Sequence, residues 1–157
     1  MRKRFSIFSG GQSGVDRAAL DFALENRIIC GGFCPFGRKA EDGPINQKYP
    51  LIESHSPESK IRTDLNVLLT DGTLILYVHK MDQGTELTYN LAKKYNIPLL
   101  VLDLNEESYF NSLKNWINYN NLCSINIAGP RESNSPGIYN NAKRFLDSVF
   151  KQALQQK

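Results

Sequence analysis

Three short polar stretches of the 157-residue chain combine glycine with hydrogen-bonding and charged side chains. The first is Ser9-Gly10-Gly11-Gln12-Ser13-Gly14-Val15-Asp16-Arg17. The second is Asp82-Gln83-Gly84-Thr85-Glu86. The third is Ala128-Gly129-Pro130-Arg131-Glu132-Ser133, ahead of Ser135-Pro136-Gly137. Glycine lets the backbone come close to a ligand, because no Cβ intervenes. Where such a turn opens a helix, unpaired amides and the positive end of the helix dipole point at one spot. A phosphate or another oxyanion satisfies both. Glycine also serves many strand-to-helix turns through geometry alone, so a single such loop says little. Three at one sheet edge favour a ligand. The expected seat is Gly10, Gly11, Gln12, Ser13 and Gly14. Gly84 with Thr85 adds a second helix terminus, and Gly129 belongs to the third loop.

Basic residues reinforce an anion. Arg38 and Lys39 lie in a long polar segment. Arg62 follows it, with Thr63 beside it, and Arg131 lies in the third loop. The planar arginine fork bonds two phosphate oxygens at once. Singly, each is more often a solvated charge. Arg131 is the best placed, since Gly129 and Pro130 make a tight loop end.

Acid–base groups are fewer. Asp16, Glu41, Asp42, Asp64, Asp71 and Glu86 lie near the proposed edge. Asp71, before Gly72, reads as a turn residue. Asp16 also reads as a first-turn carboxylate favoured by the helix dipole. Asp16 and Glu86 are the candidates for a catalytic acid. His55 and His79 are isolated, and no Ser-His-Asp or Cys-His arrangement follows from spacing. Gly-x-Gly-x-x-Gly and a Walker lysine are both absent, which argues against an NAD enzyme or a P-loop ATPase. Cys30, Cys34 and Cys123 are odd in number and form no Cys-x-x-Cys, so they read as free thiols and no metal site is expected.

The elements that must position these residues alternate. Strands are expected at 5–8, 28–33, 73–78, 98–102 and 124–128. Val15, Ala18, Ala19, Phe22 and Ala23 mark a first helix by their spacing. A polar loop at 35–57 follows. Ser56-Pro57-Glu58 reads as a helix start, with serine as N-cap. Further helices are expected at 85–95, 108–119 and 137–154. Alternation implies right-handed crossovers and a parallel sheet. The fold class is α/β, a three-layer Rossmann-like domain over residues 1–157, with a mainly parallel five-stranded sheet and helices on both faces. In such sheets ligands bind outside the carboxyl ends of the strands.

The net charge of +3 is small, and only Arg2-Lys3-Arg4 forms a basic run. No nucleic-acid partner is expected. No apolar stretch reaches the roughly 18 residues of a membrane span. Phe5 to Phe8 is too short for a signal-peptide core. No membrane partner and a cytoplasmic location are the expectations.

The first loop and its continuation to Asp21 closely resemble the opening motif of the bacterial molybdenum carrier proteins. The resemblance continues through Gly32-Phe33-Cys34-Pro35, Gly37-Arg38-Lys39-Ala40-Glu41-Asp42-Gly43-Pro44-Ile45 and Tyr49-Pro50-Leu51. It includes Arg62-Thr63, Asn66-Val67, Asp71-Gly72-Thr73-Leu74-Ile75 and Gly84-Thr85 with Leu87-Thr88. It ends with the third loop and Pro136-Gly137-Ile138-Tyr139. It spans about residues 5 to 150.

The wider group includes the Lonely-guy-type enzymes, once misnamed lysine decarboxylases, which release bases from nucleoside monophosphates. It also includes an algal molybdenum cofactor carrier and a DNA-processing protein. The resemblance implies a carrier of a phosphorylated nucleotide- or pterin-like small molecule, with molybdenum cofactor as cargo. It also implies helix-mediated pairing into a homo-oligomer. The alternative is a nucleoside-monophosphate phosphoribohydrolase. Those enzymes carry Pro-Gly-Gly-x-Gly-Thr-x-x-Glu. Here the position three after Thr85 is Thr88, and Glu86 points about 160° away from it on a helix of 3.6 residues per turn.

Overall fold

The computed structural model describes residues 5–106 and 109–155. The Arg2-Lys3-Arg4 run and Ser108, the expected start of a helix, lie outside the described residues. In chain order the first half holds β1 (Ser6–Phe8), α1 (Val15–Glu25), β2 (Ile29–Gly31), β3 (Phe33–Cys34), β4 (Ile52–Glu53) and α2 (Ser59–Leu68). The second half holds β5 (Gly72–Tyr77), α3 (Gln83–Lys94), β6 (Leu99–Asp103), α4 (Phe110–Tyr119), β7 (Ser124–Ala128), α5 (Ile138–Phe145) and α6 (Lys151–Gln155). A π-helical stretch, Leu146–Phe150, joins α5 to α6.

The main sheet runs β2-β1-β7-β5-β6, and every pairing in it is parallel. The strand formed last therefore lies at the centre. Renumbering with the final strand–helix unit placed first gives 3-2-1-4-5, the doubly wound Rossmann order short of its sixth strand. The crossover from β1 leads outward to β2, and that from β5 leads outward to β6. The carboxyl ends of β7 and β5 thus flank the point where strand order reverses.

Burial explains the layers. On one face, Val15, Ala18 and Phe22 of α1, Leu113 and Ile117 of α4, and Ile138 and Ala142 of α5 pack on Ile7, Leu74, Leu76, Ile125 and Ile127. A second cluster joins Val67 of α2 to Leu91 and Ala92 of α3. Full burial of one such large apolar side chain contributes roughly 1.5–3 kcal/mol. A third cluster of Leu20, Cys34, Ile45, Tyr49 and Leu51 anchors the polar segment between β3 and β4.

The structure corrects three boundaries. The expected strand at 28–33 breaks at Gly32, which has φ +132° and whose backbone lies against Ser9, so that a Cβ there would run into the Ser9 carbonyl. β2 stays with β1, while β3 leaves to pair with β4 in a separate two-stranded sheet. Ser56 does not cap α2: its Oγ accepts the amide of Glu58 in a local turn, and the helix begins at Ser59. The closing helix runs on to Gln155.

Candidate functional site

The glycine turn after β1 is filled by the protein itself. Every residue from Ser9 to Asp16 is buried. A Cβ on Gly10 would collide with the guanidinium of Arg62, and one on Gly11 with Leu51. Gly14, at φ +79°, lies against the backbone of Pro130 to Glu132. The carbonyl of Pro130 accepts the amide of Val15, the first residue of α1. Gly10 and Gly11 admit Arg62 and Leu51 rather than an open ligand seat, whereas Gly14, packed on the β7–α5 loop, lines with Ser13 and Arg17 a separate cleft of about 590 Å³.

The helix starts at this edge are served by internal carboxylates. Asp82 caps α3, with Oδ1 accepting from the Thr85 amide at 2.9 Å and the Thr85 hydroxyl at 2.6 Å. Its Oδ2 accepts from the Arg131 amide and Asn134 Nδ2. Glu132 accepts the amides of Gly137 and Tyr139 at the start of α5. Glu41 accepts the hydroxyls of Ser13 and Ser133 and the amide of Ser133. Thr85 and Ser13 are therefore committed internally. Asp82 accepts the third amide of α3 but not the first two, so among the described residues the Gln83 and Gly84 amides mark a place that no cap reaches.

Such a place lies in a cleft of about 670 Å³ at the carboxyl ends of β5 and β7. Lys80, Gln83 and Gly84 form one wall, and Pro130, Arg131 and Asn134 the other. Gln83 and Gly84 are the first residues of α3, where a helix leaves its amides without intrahelical acceptors. A Cβ on Gly84 would meet nothing closer than Asp82 Oδ1 at 3.7 Å. Neither packing nor backbone conformation demands glycine here, in contrast to Gly10 and Gly14. Among the described residues the Arg131 guanidinium makes no hydrogen bond or ion pair.

Behind the cleft lies a pouch of about 60 Å³, sharing Ser59, Asp82, Gly84, Leu87 and Arg131 with it. Gln12, Asp16, Arg62, Thr63, Thr88, Ala128 and Gly129 complete its walls. Asp16 Oδ2 meets Arg62 Nη1 at 3.4 Å and accepts the Gln12 amide at 3.3 Å. Burial pushes the Asp16 carboxyl above its ordinary value, against the opposing pull of Arg62. Burial also works to raise Asp82, but hydrogen bonds from Asn134, Thr85 and Arg131 outweigh it and hold that carboxyl low. Glu86 is exposed on the cleft, whereas Thr88 is buried in the pouch and its hydroxyl donates to the Gly84 carbonyl.

The sequence candidates thus divide. Gln12, Arg62, Thr63, Gly84, Gly129 and Arg131 come together, with Asp16 and Glu86. Arg38 does not join them. Its fork is buried and donates to the carbonyls of Ile45, Asn46, Tyr49 and Leu51, so it ties down the segment before β4. Lys39 is exposed, and its carbonyl accepts Gln12 Nε2. Sequence reasoning missed Asp82, although an aspartate just before a helix is an N-cap signature. It also missed Lys80 and Asn134, which carry no local signal. Among the described residues no group of three or more His, Cys, Asp or Glu could hold a metal ion. Among them, too, no helix is long and apolar enough to cross a membrane.

A comparison with curated proteins finds no match. Among solved structures, the chain is similar to a protein from Syntrophus aciditrophicus SB named "putative molybdenum carrier protein". The two share 38% identity with a TM-score of 0.88, over 94% of this chain and 95% of the other. A family model described as circularly permutated matches residues 7–150. That description agrees with a sheet whose last strand occupies the place of a first one. On fold, strand order and extent of match, the chain belongs to the circularly permutated YpsA SLOG family.

Proposed function

We propose that this chain is a carrier or binding protein for a phosphorylated nucleotide- or pterin-like small molecule, held in the cleft between β5 and β7. Molybdenum cofactor, a phosphorylated pterin, is the cargo suggested by the name of the Syntrophus protein. The observation that carries the reading is the uncommitted Arg131 guanidinium facing the open first turn of α3 at Gly84. A phosphate there meets the arginine fork, the Lys80 ammonium and the amides at a helix start. The cleft volume of about 670 Å³ falls in the size range of small-molecule sites. Mass spectrometry of small molecules released from natively purified protein tests the proposal. A phosphorylated compound at near-stoichiometric yield is the expected result. Protein that carries none, and takes up none from a panel of nucleotides and pterin phosphates, would end this reading.

One observation favours a second reading, a nucleoside-monophosphate phosphoribohydrolase. Asp16 lines the pouch as a buried carboxyl whose burial favours the protonated form, as a general acid requires. Thr88 stands where the resembling enzymes keep a glutamate, which weighs against it. Chromatography for free base, after hours with adenosine or guanosine monophosphate, separates the two readings. Release that disappears in Asp16→Asn or Glu86→Gln would establish the enzyme.

A further inference from the structure

Two side chains that line the pouch carry buried polar atoms that nothing among the described residues satisfies. Gln12 is 5% exposed, and its Oε1 has no hydrogen-bond partner among the described residues. Arg62 has a side chain 13% exposed, and its buried Nε likewise has none. Each such group costs free energy unless a partner arrives. Both side chains line the same pouch. One is an acceptor and the other a donor. A single group that answers both must donate and accept, as a hydroxyl does.

The rest of the wall has the same preference. The Thr63 and Thr88 hydroxyls donate to the carbonyls of Ser59 and Gly84, which leaves their oxygens free only to accept. Asp16 adds a carboxylate acceptor. Charge argues against a second phosphate here. Asp16 already matches Arg62 at 3.4 Å, and the Asp82 carboxylate lies on the same wall. An anion entering the pouch would face two carboxylates, with Arg62 already engaged and Arg131 taken up by the phosphate in the cleft. Size agrees: about 60 Å³ admits a few water-sized groups, room for a hydroxyl and its carbon.

We infer that the pouch is a hydroxyl subsite, in which Gln12 Oε1 accepts from, and Arg62 Nε donates to, a hydroxyl of a sugar-phosphate ligand. This rests on the proposal that the cleft binds a phosphorylated molecule. The shared wall at Ser59, Asp82, Gly84 and Arg131 makes pouch and cleft continuous. The phosphate then stays outside at Arg131, and the sugar turns inward.

The probes are inorganic phosphate, ribose 5-phosphate and its 2-deoxy and 3-deoxy analogues, each titrated into the full chain and followed by amide chemical shifts. Ribose 5-phosphate should bind about tenfold or more tightly than at least one deoxy analogue, because that analogue leaves buried groups unpaired. Gln12→Met should narrow that preference to about twofold, as one of the two orphaned atoms is removed. Equal binding of the three sugar phosphates in the native chain, with inorganic phosphate still bound, overturns the subsite and leaves the phosphate cleft standing. Failure of all four probes to shift the cleft amides overturns both. The native comparison decides the matter even where Gln12→Met does not fold.

Discussion

The guanidinium of Arg62 occupies the space that a side chain at Gly10 would need, and from there it reaches the carboxylate of Asp16. Gly10 is thus a packing partner of an arginine forty positions and more away in sequence. Gly10→Ala must push aside the Arg62 guanidinium and the Asp16 carboxylate that it meets, both of them side-chain ends. Overpacking of this kind costs roughly 1–3 kcal/mol, and the Asp16 ion pair is strained with it. Urea unfolding should show the loss. A native-like midpoint would mean that Arg62 moves freely, and the packing account of this turn would be wrong.

Gly84→Ala should behave in the opposite way. The residue lies in a helix with open space around it. Alanine there should leave stability unchanged or raise it by up to about 1 kcal/mol. Ligand affinity should fall, because the added methyl narrows the cleft. Stability and binding are read from the same preparation, by thermal melting and calorimetry. A variant that loses stability while keeping its affinity would show that the glycine serves the fold.

Arg131→Ala should weaken a bound phosphate ester by roughly 1.5–3 kcal/mol, the worth of a charge-assisted hydrogen bond. Its guanidinium makes no hydrogen bond or ion pair among the described residues and acts on Glu41 only at a distance, so the melting temperature should change little. Titration calorimetry with a phosphate ester, run beside the native chain, is the check. Unchanged affinity would remove Arg131 from the site.

Arg38→Lys should be a severe change despite conserving charge. A lysine cannot reproduce a planar fork that bonds four carbonyls. Buried carbonyls left unpaired cost about 1–3 kcal/mol each before any relaxation. Proteolysis should open first between residues 38 and 51. Wild-type resistance in that stretch would contradict the anchoring role.

Two carboxylates make the same segment sensitive to acid. The Ser13 and Ser133 hydroxyls hold Glu41 below its ordinary 4.5. Burial works to raise Asp21 from its ordinary 3.8, but Tyr139, Tyr49 and Lys48 together lower it. A depressed carboxyl stabilises the folded state above its unfolded value and loses that contribution as pH falls through its folded value. Stability from this pair should therefore be complete above pH 4.5 and decline below it. Burial sets Asp16 in the other direction, so its ionised form favours unfolding as pH rises. The Ser133 amide resonance should titrate with a midpoint below 4.5, and Glu41→Gln should abolish that step. A midpoint at or above 4.5 would refute the assignment.

The gathering of Gly84, Gly129 and Arg131 was legible because alternating strands and helices bring every carboxyl-end loop to one edge. What happens between those loops was not. Arg38 and Arg131 look alike in sequence, yet one is spent on four carbonyls and the other is uncommitted, and that difference is set by contacts across the fold. The break at Gly32 depends on Ser9, a neighbour through the sheet. Gly10 and Gly84 both sit in polar turns, but only a distant side chain, Arg62, separates a packing glycine from one that keeps a cleft open. Asp82 needed no distant contact to be found. Its cap position was local, and it explains why Thr85 is unavailable to a ligand.

The central position of β7 has a consequence for biosynthesis. β1 touches only β2 and β7, while β5 touches only β6 and β7. A nascent chain that has emerged as far as residue 123 holds two half-sheets with exposed inner edges and nothing between them. Unpaired edges of this kind invite wrong partners. The joining strand arrives among the last elements made, and its pairing with β1 spans more than a hundred residues, a non-local closure that is intrinsically slow. Until the loop that follows Ser124–Ala128 leaves the ribosome, the Lys80 and Gly84 side of the cleft lacks its opposite wall at Pro130 and Arg131.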